Sequence, residues 1–154
     1  METKYTEYDL NLARLAAYID GEGTIDLSGH SQGKKRAFGY RLRILVYNTD
    51  IRMLAWCKEN FGGTIRVNRK GTKKYPALYQ WAITGRIGAG KLLVECLPFF
   101  VIKREQAELG IAFGKTFSTS NRDPRGLSDS VKQERENLRT KIFEIRKVAP
   151  VVAA

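Results

Sequence analysis

Hydrophobic residues recur along this chain with two different spacings, and these spacings predict where helices and strands lie. Positions three and four residues apart share a helix face, whereas alternate positions share a face of a strand. Helical spacing occupies five segments: residues 9–20, 51–61, 88–97, 103–117 and 129–148. Alternation occupies four segments: residues 24–28, 40–48, 64–71 and 73–84. The order predicts an α+β domain with helices over one face of an antiparallel sheet.

The first predicted helix has two different apolar faces. Asp9 is placed to cap its N-terminus. Its larger apolar residues share a face that is expected to pack on the core: Leu12, Leu15, Ala16 and Ile19. Small residues spaced four apart form a second stripe: Ala13, Ala17 and Gly21. Small side chains let two helix axes approach closely, so this stripe could face the core or a second subunit.

The second helix and the third strand are also marked by local signals. Asp50 is the expected N-cap of the helix and Gly62 its expected C-terminal stop. In the strand that follows, Ile65 and Val67 are expected to point inward, with polar residues between them pointing outward. The sheet should therefore have one buried apolar face and one open polar face.

The chain is strongly basic: it carries 27 Lys and Arg against 16 Asp and Glu, a net charge of +11. No acid occurs in residues 27–49 or 60–94, so the positive charge is concentrated on the predicted sheet and its loops. A polyanionic partner is the natural inference. Arg, Asn and Gln read base edges, Lys holds phosphates, and a β-ribbon fits the major groove of DNA. The predicted DNA-binding set is Asp26, Ser28, His30, Lys34, Lys35, Arg36, Arg41, Arg43, Arg66, Asn68, Lys70, Lys73, Lys74 and Gln80.

Composition excludes several other classes of protein. No apolar run is long enough to cross a membrane and the N-terminus lacks a secretory pattern, which predicts a soluble intracellular protein. Cys57 and Cys96 are too few and too far apart for a disulfide framework or a zinc knuckle, and are expected to be reduced core residues. His30 is the only histidine, which excludes metal sites built on several histidines.

The segment "GRIGAGKL", residues 85–92, resembles a phosphate-binding loop in spacing alone. Such a loop needs Ser or Thr after its lysine to hold magnesium, and this chain has Leu92 there. A simple strand-to-helix turn is the favoured interpretation.

Two acids, Asp20 and Glu22, end the first helix, where the helix dipole disfavours negative charge. They could be solvated residues of a glycine-rich helix stop. They also lie where the close-packing helix joins the basic sheet, and carboxylates on a DNA-binding surface repel phosphate unless a divalent cation intervenes. Magnesium takes oxygen ligands and suits phosphodiester hydrolysis.

The stretch "LAAYIDGEGTI" resembles the signature of the LAGLIDADG homing endonucleases. The direct matches are Leu15, Ala16, Ile19, Asp20 and Gly23, while Gly21 and Glu22 resemble common variants. The α-β-β-α-β-β-α order, the "NTD" before the second helix and "LPFFVIKREQAEL" strengthen the resemblance. It covers residues 9–117. We take residues 1–117 as an endonuclease core, with residues 118–154 as a C-terminal linker and helix of the same domain.

The resemblance implies a saddle-shaped sheet and a set of site residues. The signature helix would pack on its twin through Ala13, Ala16, Ala17 and Gly21. Glu22 would ligate magnesium, assisted by the Gly21 carbonyl and with Asp20 nearby; Mn²⁺ or Ca²⁺ could substitute for binding. Lys103 would stabilise charge in the transition state, Asn48 would order water, and Arg52 would be a second basic residue of the pocket.

One copy of the motif implies a homodimer and a pseudo-palindromic target. The predicted function is then a free-standing, intron-encoded enzyme that makes staggered cuts in double-stranded DNA with magnesium. Two alternatives keep the fold: an RNA maturase that helps its intron fold, and a DNA-binding protein without catalysis. A generic basic ribonucleoprotein component would need neither the acids nor the small-residue helix.

Overall fold

The computed structural model describes residues 4–30, 39–117 and 128–147. The helices are α1 (Glu7–Glu22), α2 (Ile51–Phe61), α3 (Lys91–Cys96), α4 (Arg104–Lys115) and α5 (Asp129–Lys147). The strands are β1 (Gly23–His30), β2 (Gly39–Asn48), β3 (Thr64–Arg69) and β4 (Leu78–Thr84). They form one antiparallel sheet in the order β1-β2-β4-β3. The predicted α+β class and element order are confirmed.

One hydrophobic core lies between the helices and one face of the sheet. The larger apolar residues of α1 are buried in it, as are Ile25 and Leu27 of β1 and Ile44 of β2. Helix α5 contributes Leu138 and Ile142 to the same core. Ala16 is fully buried there too. The resemblance put Ala16 in a subunit interface, but it shares the inward face of α1 and is enclosed within its own chain.

Helix α1 begins earlier than its periodicity predicts. Its N-cap is Thr6, whose hydroxyl accepts the backbone N–H of Asp9 at 3.1 Å. The Asp9 carboxylate in turn accepts the backbone N–H of Thr6 at 2.8 Å, which completes a capping box. The prediction that Asp9 is the N-cap is therefore wrong, because Asp9 occupies the third helical position. The predicted ends of α2, Asp50 and Gly62, are confirmed.

The inward position predicted for Val67 is also wrong, since 53% of this residue is exposed. Strand β3 forms one edge of the sheet, and its pairing with β4 shifts in register between Val67 and Arg69. Ile65 is half-buried against the core, as predicted. The helix layer thus covers the start of β3 and leaves its end open.

The glycine-rich segment after β4 is a strand-to-helix turn, as predicted. Gly85 has a φ of 85°, a single π-helical turn covers Arg86–Gly90, and α3 follows directly. Helix α3 ends at Cys96, and a 3₁₀ turn, Leu97–Phe99, follows it and includes Pro98. A proline at the first turn of such a helix loses no hydrogen bond.

Both cysteines are buried core residues without a disulfide partner, as predicted. Burial raises the pKa of each thiol to about 12, so neither is a candidate nucleophile at neutral pH. Among residues 4–30, 39–117 and 128–147, no helix is both long and apolar enough to cross a membrane.

Gly23 is required where α1 turns into β1. A Cβ there would lie 2.6 Å from the Ile19 Cα and 2.8 Å from the Ile19 carbonyl oxygen, both backbone atoms that cannot move cheaply. We expect Gly23→Ala to lower the free energy of unfolding by about 1–3 kcal/mol, measured by urea denaturation. Gly114→Ala is the matched control, since a Cβ on Gly114 meets nothing within 4 Å. Equal losses in both variants would contradict this explanation.

Candidate functional site

The two acids at the end of α1 have different surroundings. The Asp20 carboxylate accepts backbone N–H groups of three consecutive residues: Val101 at 2.9 Å, Ile102 at 3.3 Å and Lys103 at 2.9 Å. These residues lead into α4, whose own N-cap, Lys103, provides no side-chain cap. Asp20 therefore serves as the acceptor that α4 lacks, at the positive end of that helix. Its carboxylate ties α1 to α4.

Lys103 folds back onto α1. Its ammonium donates a hydrogen bond to the Asp20 main-chain carbonyl at 2.6 Å, which satisfies one of the free carbonyls at the helix end. Burial lowers the pKa of Lys103, and the positive charge of Arg146 lowers it further, while Asp20 and Glu22 act in the opposite direction. The structure thus brings Asp20, Glu22 and Lys103 into one electrostatic neighbourhood.

Glu22 is exposed at the very end of α1. In the described ranges of the chain, no three His, Cys, Asp or Glu side chains come together as a metal-binding group. With the Asp20 carboxylate engaged by main-chain amides, one chain offers a metal the Glu22 carboxylate and nearby main-chain oxygens, Gly21 among them. Such oxygen donors suit magnesium, but they are too few to enclose it without water or a second chain.

Asn48 and Arg52 lie near the end of the sheet at which α1 joins β1. Gly23 of β1 pairs with Val46 of β2, so Asn48 lies just beyond the start of β1. Its side-chain oxygen accepts the Asp50 backbone N–H at 2.8 Å. Arg52 forms a forked ion pair with Asp50, and this hydrogen bonding lowers the pKa of Asp50 to about 2.

Asn48 and Arg52 open onto a cavity of about 600 Å³ between α1 and α2. Sequence reasoning gave no role to Arg14 or Tyr18, which also line it. The Arg14 guanidinium lies 5.2 Å from the Trp56 ring, and Tyr18 meets that ring edge-on at 5.5 Å. The one available signal was that Arg14 is the only charged residue between Leu12 and Ile19.

The open face of the sheet carries side chains in rows across the strands. The register defines two rows with arginine, Asp26–Arg43–Thr84 and Tyr47–Gln80–Arg66, on either side of a neutral row, Thr24–Leu45–Ala82–Thr64. Arg41 extends the basic surface beside Ser28. The prediction of a polar, cationic sheet face opposite the helices is borne out in these residues.

Gln80 was predicted to be on the surface, but only 1% of it is exposed. Its side-chain oxygen accepts from Arg66 at 2.5 Å, and its amide nitrogen donates to the Tyr47 hydroxyl at 3.3 Å. A side chain so placed orients the exposed Arg66 rather than presenting its own amide to solvent. The alternation of the strand identifies the face, but it cannot show that a neighbour covers one residue.

Asp26 is also buried, with 9% exposed. It pairs with Arg43, its partner on β2, at 2.5 Å and with Arg146 of α5 at 3.2 Å. The remaining predicted contacts divide into two groups. Asn68, Lys70, Lys73 and Lys74 are exposed on or beyond β3. Lys34, Lys35, Arg36 and the side chain of His30 lie outside the described residues.

Removing the Asp20 carboxylate is expected to loosen the start of α4. Asp20→Ala should lower the free energy of unfolding by about 1–2 kcal/mol, because water can replace the lost acceptor at the exposed Val101 and Ile102. Asp20→Asn should cost less, since one amide oxygen can still accept. Hydrogen exchange at the Val101 and Lys103 amides measures the effect. Unchanged exchange in Asp20→Ala would contradict the capping role.

The chain was compared with known proteins at the levels of sequence and structure. No protein-family model matches it, and no curated protein matches it in sequence. Solved structures do match. The homing endonuclease I-CvuI, bound to DNA, superimposes with a TM-score of 0.75 at 23% identity, covering 93% of this chain and 86% of that chain.

Two further structures agree. The archaeal intron-encoded homing endonuclease I-Vdi141I, complexed with DNA, gives a TM-score of 0.71 at 14% identity, covering 90% of this chain and 86% of its own. The LAGLIDADG homing endonuclease I-SmaMI gives 0.66 at 19% identity, covering 88% of this chain but 44% of its own. At these identities the likeness establishes the fold. The chain therefore has the fold of the LAGLIDADG homing endonucleases.

Proposed function

We propose that this chain is a homing endonuclease that acts as a homodimer and cuts double-stranded DNA at a specific site with a divalent metal. One observation carries the proposal: the Lys103 ammonium is held on the Asp20 carbonyl, two residues before the exposed Glu22, at the junction of α1 with a cationic sheet. The solved neighbours were complexed with DNA, and I-CvuI was studied with magnesium or calcium. Two neighbours are described as intron-encoded, and an intron origin is part of the same proposal.

The dimer is supported by the outer stripe of α1. Ala17 and Gly21 are exposed, Ala13 is partly exposed, and a Cβ on Gly21 would meet nothing within 4 Å. Leu10 extends the stripe and is 60% exposed. A small-residue stripe that no part of the described chain covers lets a second α1 approach closely. Two copies would bring two Glu22 carboxylates together, which supplies the ligands that one chain lacks.

Glu22 and the Gly21 carbonyl would hold magnesium, which supplies charge stabilisation and an activated water for phosphodiester hydrolysis when bound. Lys103 is held by its hydrogen bond to α1 and would stabilise negative charge on the phosphate as it develops. Asp20 keeps α1 and α4 in register and so positions Lys103. Asn48 and Arg52 lie at the same end of the sheet and could orient water or phosphate.

The cationic sheet face would lie along the major groove. Arg41, Arg43 and Arg66 are the arginines placed to read base edges, while the lysines beyond β3 would contact phosphates. A net charge of +11 favours association with DNA and makes binding fall steeply with salt. The division between arginines that read bases and lysines that contact phosphates is a testable part of the proposal.

The proposal is tested by incubating the dimeric protein with a randomised duplex library and magnesium, then sequencing the cut ends. Recovery of one pseudo-palindromic motif, with cutting abolished by chelator, is the expected result. Calcium in place of magnesium should leave binding intact. Failure to cut any duplex, together with tight binding of structured RNA, would replace the endonuclease with the maturase alternative.

A further inference from the structure

A buried acid on a basic, open sheet face needs an explanation. Asp26 lies on β1 directly opposite Arg43, within the surface proposed to read DNA. A carboxylate at a DNA surface repels phosphate, so burial and pairing are what make it tolerable there. Both Asp26 oxygens are engaged: Oδ2 by Arg43 and Oδ1 by Arg146.

Arg146 reaches Asp26 from the last turn of α5, 120 positions further along the chain. Its Nη1 and Nη2 both lie 3.2 Å from Asp26 Oδ1, and Nη2 also donates to the main-chain carbonyl of Ile25. Strand β1 forms one edge of the sheet, where carbonyls are available to such a donor. One guanidinium thus forms hydrogen bonds with both the strand backbone and the acid.

The consequence falls on Arg43. Its Nε and Nη2 both bond Asp26 Oδ2, at 3.2 and 2.5 Å, while 30% of the side chain stays exposed. A planar guanidinium reads a base only when its plane is held in the correct orientation, and ordering a free arginine on binding costs affinity. The three side chains carry two positive charges and one negative charge, so the group still attracts an acceptor.

We propose that Arg146 is a positioning residue for DNA recognition: through Asp26 it fixes the Arg43 guanidinium in the orientation that reads one base pair. The inference rests on the proposed function, because it assigns a recognition role within that DNA-binding face. Helix α5 would then contribute to DNA recognition as well as to packing of the core.

The test measures base preference position by position on variants of the selected target. Arg43→Ala first identifies the base pair that Arg43 reads, as the position whose preference collapses. Arg146→Ala is then expected to lose roughly fivefold or more of the preference at that same position and little elsewhere. Arg146→Lys should not restore it, because an ammonium cannot replace the fork. In the Arg43→Ala background, Arg146→Ala should change nothing further at that position.

Lys141→Ala is the matched control, since it removes one positive charge from an exposed position of the same helix. If Arg146→Ala fails to fold, Arg146→Gln keeps most of the aliphatic stem without the guanidinium fork, and should show the same selective loss. A uniform loss of affinity across all targets, or an unchanged preference at the Arg43 position, would overturn the inference while leaving the endonuclease intact. Absence of base preference in the wild type would overturn both.

Discussion

Glu22→Gln is expected to abolish DNA cleavage while leaving the protein folded and able to bind its target. Glutamine has the shape of glutamate but lacks the negative charge that holds a divalent cation. Glu22 is exposed and makes no hydrogen bond or ion pair with another described residue, so its replacement should not disturb packing. Cleavage should fall by roughly 10²- to 10³-fold or more, measured as single-turnover cutting of the selected duplex with magnesium.

Glu7→Gln is the control for the change of charge, because Glu7 is an exposed acid in the first turn of the same helix. It should cut at nearly the wild-type rate. Binding without a divalent cation, measured by fluorescence anisotropy, should be at least as tight for Glu22→Gln as for the wild type, since one repulsive charge near phosphate is gone. Full cleavage by Glu22→Gln would remove Glu22 from the chemistry and end the proposed assignment of this site.

Gly21→Leu is expected to produce a folded monomer that no longer makes double-strand breaks. A Cβ at Gly21 meets nothing within 4 Å in its own chain, so the variant should still fold. The same side chain would separate two α1 helices that need close approach. Light scattering should give the mass of one chain instead of two, and cleavage of both strands should fall at least about 100-fold, since half of a two-chain site remains.

Gly114→Leu is the matched control. Gly114 also lies in a helix, and a Cβ there likewise meets nothing within 4 Å, but α4 carries it on a different surface. This variant should stay dimeric and active. A Gly21→Leu protein that remains a dimer would show that another surface joins the subunits, and the pairing of two Glu22 carboxylates would then need a different arrangement.

The two acids at the end of α1 show why a motif needs its surroundings. In the sequence Asp20 and Glu22 are equivalent carboxylates separated by one glycine. In the structure Asp20 accepts three main-chain amides that lie 81 to 83 residues away, whereas Glu22 stays exposed. Only one of the pair is therefore available for chemistry. Asp20 in turn positions Lys103, because its carboxylate anchors the segment from which Lys103 extends.

The element order, the buried and open faces of the sheet and the concentration of positive charge all follow from the sequence alone. These features depend on local periodicity and on the spacing of glycine and capping residues. Both are patterns among residues that lie close together in the sequence. The start of α1 was predicted at Asp9, whereas the Thr6–Asp9 capping box begins the helix earlier. The resemblance at the end of α1 also came from a short local stretch.

Which of these side chains stay accessible depends on long-range packing in the folded chain. Gln80 is enclosed by Arg66 and Tyr47, Asp26 is held between two arginines, and Ala16 turned out to be core. Each outcome depends on partners contributed by other strands or by a helix far along the chain. Periodicity records the face on which a side chain lies, but long-range packing decides what covers that face and which charge meets which.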